Sequence, residues 1–169
     1  MKKYISPIIC GFGAGVLQIV PFIKSFSCCL ILPLAVFLSL LLDQKANKSK
    51  ERIPMSKAVV FGLFTGLFAA LFGSAFEILV TFITRQNDVI LAFPEMQRMI
   101  EGFPVTPEIK KDVLDILHTV RYELMNYGFS WIYTFSILIN GLIVNTVFGI
   151  VGGLIGAQIL NSKNKSSEV

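Results

Sequence analysis

AVVFGLFTGLFAALFGSAFEILVTFIT, residues 58–84, is almost wholly apolar and carries one charge, Glu77. As a helix it extends about 40 Å, more than the roughly 30 Å hydrocarbon core of a bilayer. Lys57 and Arg85 flank it. A water-soluble strand or amphipathic helix would alternate polar and apolar positions, and this stretch does not. It reads as a transmembrane helix, and the rest of the chain reads as its partners, flanks and cap.

Composition agrees. Of 169 residues, 54% are hydrophobic and only 15% charged, where a soluble domain carries about a quarter. Three further apolar runs give spans at about residues 5–20, 25–42 and 131–160. The expectation is an all-α integral membrane protein with four transmembrane helices in one membrane domain. Pro7 falls near the start of the first span, where proline is tolerated, and Pro21 ends it. Pro33 lies inside the second and predicts a kink. MKKYISPIIC has too short an apolar stretch before Cys10 for a signal peptide, so Lys2 and Lys3 are read as the flank of a retained helix.

The polar segments set the topology. Residues 43–57, DQKANKSKERIPMSK, form a loop biased to cations. Residues 86–128 form a long connector. Its first part is mixed and is read as short helical pieces on the membrane surface. Its second part opens Thr106-Pro107-Glu108, an N-cap, a first-turn proline and a first-turn acid. Ile109, Val113, Ile116, Val120 and Leu124 then recur at helical spacing, with Leu117 widening the stripe. Tyr127, Trp131 and Tyr133 fit an interfacial aromatic belt. The tail NSKNKSSEV is read as disordered. Lys2, Lys3, Lys45, Lys48, Lys50, Arg52, Lys57, Lys163 and Lys165 share one side of this arrangement. By the positive-inside rule both termini are then cytoplasmic in the bacterial inner membrane, and the amphipathic connector is extracytoplasmic.

Small residues predict the packing. In the third span Ala58, Gly62, Gly66, Ala70 and Ser74 recur every four residues, and Thr65, Ala69, Gly73 and Glu77 form a second row beside them. Phe64, Phe68 and Phe72 turn to the other side. The fourth span offers Gly141, Asn145, Gly149, Gly153 and Ala157. Small residues let helix backbones approach in lipid, so the third and fourth spans are expected to pack through Gly62, Gly66, Ala70, Gly73, Gly149 and Gly153. A homodimer through one row is the competing reading.

The polar candidates within the spans are Glu77, Gln18, Asn140 and Asn145. Glu77 lies on the smooth face about 9 Å from the midplane, and an ionisable residue there is a functional hypothesis by default. Asn140 falls off the Asn145 face of its own helix. Cys10, Cys28 and Cys29 read as small apolar helix residues, and with one histidine, His118, no metal set is assembled. No catalytic motif stands out, so the expectation is no enzyme, no cofactor and no nucleic acid. The partners expected are the lipid bilayer and a second copy or another membrane protein. The alternative is a small transporter or channel subunit using Glu77 within an oligomer.

The layout resembles a group of bacterial four-span membrane proteins of uncharacterised activity. It shares a short first hairpin, a basic loop, a third span like GLFTGLFAALFG (62–73), an amphipathic connector and a final span like GIVGGLIGAQIL (149–160). The resemblance covers most of the chain but only in layout. It implies the four-span fold and transfers no activity and no site residues. Small four-span multidrug exporters match poorly: they are shorter and keep their membrane glutamate in the first helix.

Overall fold

The computed structural model describes residues 4–20, 24, 26–47 and 51–166. All regular structure among them is helical. The helices are α1 (Ile5–Leu17), α2 (Leu32–Ala46), α3 (Met55–Thr84), α4 (Asp88–Gly102), α5 (Pro107–Tyr127) and α6 (Trp131–Ser166), with a π-helical turn, Ser27–Ile31, leading into α2. Among the described residues three helical stretches are long and apolar enough to cross a membrane: Cys29–Ala46, Met55–Thr84 and Trp131–Lys163. The apolar α1 has 13 residues, about 20 Å.

The chain forms two compact units, Met1–Phe76 with Ile137–Val169, and Glu77–Ser136. In the first unit α3 is central. Gly11 of α1 lies against Thr65 and Ala69, and Gly15 against Ala69 and Gly73, so α1 runs parallel to α3. The partners of α3 in α6 fall in the opposite order: Ala58 with Gly153, Gly62 with Gly149 and Gly66 with Asn145. Leu40 clusters with Ala58 and Phe61, and Leu32 with Ala69, so α2 is also antiparallel to α3. The two small rows of α3 therefore divide between neighbours: Gly62 and Gly66 meet α6, while Gly73 meets α1. The bulky Phe64–Phe68–Phe72 ladder is covered in part by Tyr4, just before α1, on Phe64 and by Phe12 of α1 on Phe72, each pair 5.1 Å between centroids. On the far side of α6, Ile139, Ile143, Val147, Val151, Ile155 and Ile159 stay exposed at four-residue intervals, a ridge suited to lipid.

Several local expectations are refined or corrected. Pro33 does lie inside the span Cys29–Ala46, at the point where the π-helical turn Ser27–Ile31 passes into the first turn of α2. Its ring and missing N–H conflict with an α-helical turn just before it, and the chain takes the wider π turn there. Gly152 accepts the proline backbone: a methyl added at Gly152 would lie 2.5 Å from Pro33 Cα. The polar segment 43–57 is only partly a loop. α2 runs through Ala46 and α3 starts at Met55, because long polar side chains are acceptable in helix ends that leave the apolar layer. Asp43 is buried, 4% exposed, and pairs with Lys57 across the two helix ends. The tail is not disordered over 161–166, where α6 continues; residues 167–169 lie outside the described residues. Asn161 supplies a reason: its side chain accepts from the Ile53 N–H at 2.8 Å and donates to the Ile53 carbonyl at 3.0 Å.

In the second unit the end of α3, α4, α5 and the start of α6 pack together. α4 is one helix of 15 residues and not several pieces. Asn87 caps it by accepting from the Ile90 N–H at 2.9 Å, and Pro94 falls on its exposed side, where water can hydrate the carbonyl it frees. Thr106 precedes α5 in extended backbone, but its side chain makes no cap bond. Gly128 ends α5 at φ 72°, left-handed backbone that favours glycine. A methyl there would also lie 2.8 Å from the Phe82 carbonyl oxygen. The α4–α5 hairpin is antiparallel: Phe93 meets His118 at 5.0 Å and the Arg121 guanidinium at 4.4 Å, and Lys110 Nζ donates to the Glu101 carbonyl at 2.7 Å.

Candidate functional site

Two polar pairs occupy the apolar helices, one in each unit. The first is built at the end of α1. Gln18 is the C-cap residue of that helix, and its Nε2 donates to Asn145 Oδ1 at 2.8 Å. Asn145 faces inward because its own backbone lies against Gly66, with no side chain to hold the helices apart. Gly73 makes the matching space on α3: a methyl there would lie 2.9 Å from Gln18 Oε1. The buried Ser74 hydroxyl and the Asn145 amide both border Gly141. Glycines at 66, 73 and 141 thus make room for a part-buried amide–amide pair, with Asn145 the buried partner.

The second pair is Glu77 and Tyr133. The Tyr133 hydroxyl donates to Glu77 Oε1 at 3.0 Å. Tyr133 is buried, and Ser130, buried as well and just before α6, accepts from the Tyr133 N–H at 3.5 Å. This corrects the belt assignment: Tyr127 and Trp131 are exposed, but Tyr133 turns inward to the carboxylate. Alternation of exposure along a helix is the signal that could have separated them, since Trp131 and Tyr133 are about 200° apart on the helical wheel. Asn140 is exposed and joins neither pair.

Two hydroxyls add to the inventory. Ser39 Oγ and Thr65 Oγ1 are fully buried without a hydrogen-bond partner. Cys10 and Cys29 are free thiols. His118 is exposed with its ring edge toward Phe93. Among the described residues no three His, Cys, Asp or Glu side chains come together.

Chemically, the Gln18–Asn145 pair cross-links α1 to α6 by a neutral hydrogen bond, which in membrane helices contributes about 0.6 kcal/mol on average and up to about 1.7. The expected double-mutant-cycle coupling for Gln18→Ala and Asn145→Ala is about 1 kcal/mol, read from reversible unfolding in mixed micelles. Strict additivity of the two losses would show that the amides do not bond. The Glu77–Tyr133 pair adds something different, a carboxyl group held by a phenol donor inside a helix of spanning length. Compared with protein-family models, with curated proteins and with solved structures, the chain matches none.

Proposed function

We propose that this chain is a non-enzymatic, multi-pass module of the bacterial cytoplasmic membrane, with α1 as the first of four spans and both termini in the cytoplasm. Its role is that of a structural or accessory unit that associates with a membrane-protein partner or with itself. The alternating directions of α1, α2, α3 and α6 support four passes, and the cationic bias of residues 45–57 supports the orientation. The observation that carries the reading is the backbone contact of α3 with both neighbours, at Gly62–Gly149 on one side and Gly15–Gly73 on the other. Small residues there bring the helix backbones into direct contact.

One observation favours a second reading. Glu77 lies inside α3 and is held by Tyr133, and an intramembrane carboxyl is a common element of proton and cation pathways. In that reading the chain is a transporter or channel subunit acting as an oligomer. Reconstitution in liposomes separates the two. The module reading expects proton and cation flux no higher than in protein-free vesicles, for wild type and Glu77→Gln alike. Flux in wild type that is lost in Glu77→Gln establishes the transport reading instead.

A further inference from the structure

The sequence stripe of α5 is divided in the structure. Val120 and Leu124 are 5% and 0% exposed, whereas Ile109, Val113 and Ile116 on the same face are 51%, 38% and 50% exposed. At 100° per residue these three lie within about 60° of one another. The helix turns its other side to α4, through Arg121 and Lys110. The first half of the apolar line is therefore left partly uncovered. At the hairpin tip Phe103 and Val105 are exposed as well. An apolar edge, about half exposed, thus runs from the tip to the middle of α5.

The connections limit what can cover it. Only residues 85–87 separate α3 from α4, and only 128–130 separate α5 from α6. Three extended residues reach about 10 Å. Both helices joined in this way are long and apolar enough to cross a membrane. The hairpin is thus tethered at both ends to the level where two spans leave the bilayer. Aromatic residues mark that level: Tyr127 and Trp131 are exposed, with Trp131 packed between Phe129 at 5.2 Å and Phe135 at 5.8 Å. Tyrosine and tryptophan prefer the headgroup boundary.

We infer that the α4–α5 hairpin lies on the bilayer surface and sinks Ile109, Val113 and Ile116 into the headgroup–acyl boundary. Charge identifies the kind of surface. α5 carries Lys110, Lys111 and Arg121 against Glu108, Asp112, Asp115 and Glu123, a net of −1. Attraction to anionic lipid does not drive the docking. Apolar burial does, so a zwitterionic phospholipid surface suffices and the docking is insensitive to salt. The inference needs α3 and α6 to be spans; it holds whether the protein is a packing module or a transporter.

The test uses the full chain, one copy per nanodisc of phosphatidylcholine, with the native cysteines replaced by serine. A polarity-sensitive fluorophore is placed at Val113→Cys, at Ile116→Cys or, on the polar flank, at Asp112→Cys. The expected result at 113 and 116 is a blue-shifted emission, quenched by lipid bearing a nitroxide near the headgroup and shielded from aqueous iodide, unchanged in high salt. The probe at 112 shows the reverse. Equal iodide quenching at 112 and 113 overturns the inference. So does a probe at 113 shielded from both quenchers, which would mean that protein covers the stripe. Unmodified protein gives an independent reading, because Trp131 is the only tryptophan. Headgroup-proximal brominated lipid must quench it, and unquenched Trp131 fluorescence would remove the interfacial anchor on which the inference depends.

Discussion

Gly62→Ala and Gly66→Ala are expected to destabilise the protein strongly, while Gly13→Ala leaves it unchanged or slightly more stable. All three put one methyl into an apolar helix. The difference is what that methyl meets. At Gly62 it runs into the carbonyl oxygen of Gly149, and at Gly66 into that of Asn145. Neither obstacle is a side chain that can rotate away; both are backbone of α6, so the helix itself must move. The contact is reciprocal, since a methyl at Gly149 would lie 2.5 Å from the Gly62 carbonyl. Overpacking costs about 1–3 kcal/mol where neighbours can shift, and a rigid backbone places these variants at or above that range. In lipid the loss is not softened by a hydrophobic gain, because packing is a main source of helix association there. At Gly13 an added Cβ meets nothing within 4 Å. Helix propensity then favours alanine by about 0.5–1 kcal/mol. Thermal unfolding in detergent, followed by circular dichroism, ranks the three. Gly62→Ala melting with wild type would mean that α3 and α6 do not touch by backbone. For Gly66→Ala a second consequence follows, since moving α6 also withdraws Asn145 from Gln18.

The legible part of this fold was the part governed by size. Glycine and alanine every four residues in α3 and α6 mark surfaces where backbones can meet, but rows of equal spacing fit several registers, and the pairing Gly62–Gly149 and Gly66–Asn145 comes from the structure. α1 was harder to place, because Gly11 and Gly15 make a short pair that fits many neighbours. The division of the α3 rows between α1 and α6 emerges only when both are packed at once. Polar residues were misread where a long-range partner decides their position. Asp43 opens a run rich in Lys, Asn and Ser and so reads as loop, yet Lys57, fourteen residues away in sequence, draws it inward. Tyr133 follows Trp131 and so reads as belt, yet Glu77 claims its hydroxyl. Asn161 opens a polar tail and ties it to Ile53. In each case the local sequence states a preference, and hydrogen bonds or an ion pair from a distant element override it.

Lys57→Met is the second substitution with a large expected effect, and most of its loss is recovered when Asp43 is changed with it. Lys57 Nζ lies 2.5 Å from Asp43 Oδ2, with 31% of the lysine side chain exposed against 5% of the aspartate. The contact is one of charge more than alignment, because Oδ2 makes no well-directed hydrogen bond. The other oxygen, Oδ1, accepts from Asn47 Nδ2 at 3.1 Å. Removing the ammonium leaves a carboxylate buried between the ends of α2 and α3 with one neutral donor. Breaking a fully buried pair costs about 3–5 kcal/mol. Solvent reaches Lys57, so its charge is already screened in part, and a loss of about 2–3 kcal/mol is expected here. The partner substitution, Asp43→Leu, takes away the burial penalty itself. Its side chain would enter a region already lined by Leu40, Ile53, Ala58 and Phe61. The lysine stem would still pack on Phe61, where its ammonium lies 5.5 Å from the ring centroid. Replacing both charges by apolar groups is commonly neutral or stabilising. The double variant Asp43→Leu/Lys57→Met should therefore recover most of what Lys57→Met loses. Unfolding of the four proteins of this cycle in mixed micelles decides it. A double variant that is as unstable as the sum of the two single losses would show that the carboxylate is not paying a burial penalty and that Lys57 acts through contacts other than this pair. Recovery would instead assign the pair a role in register, holding the end of α2 beside the start of α3 at the cost of a buried charge.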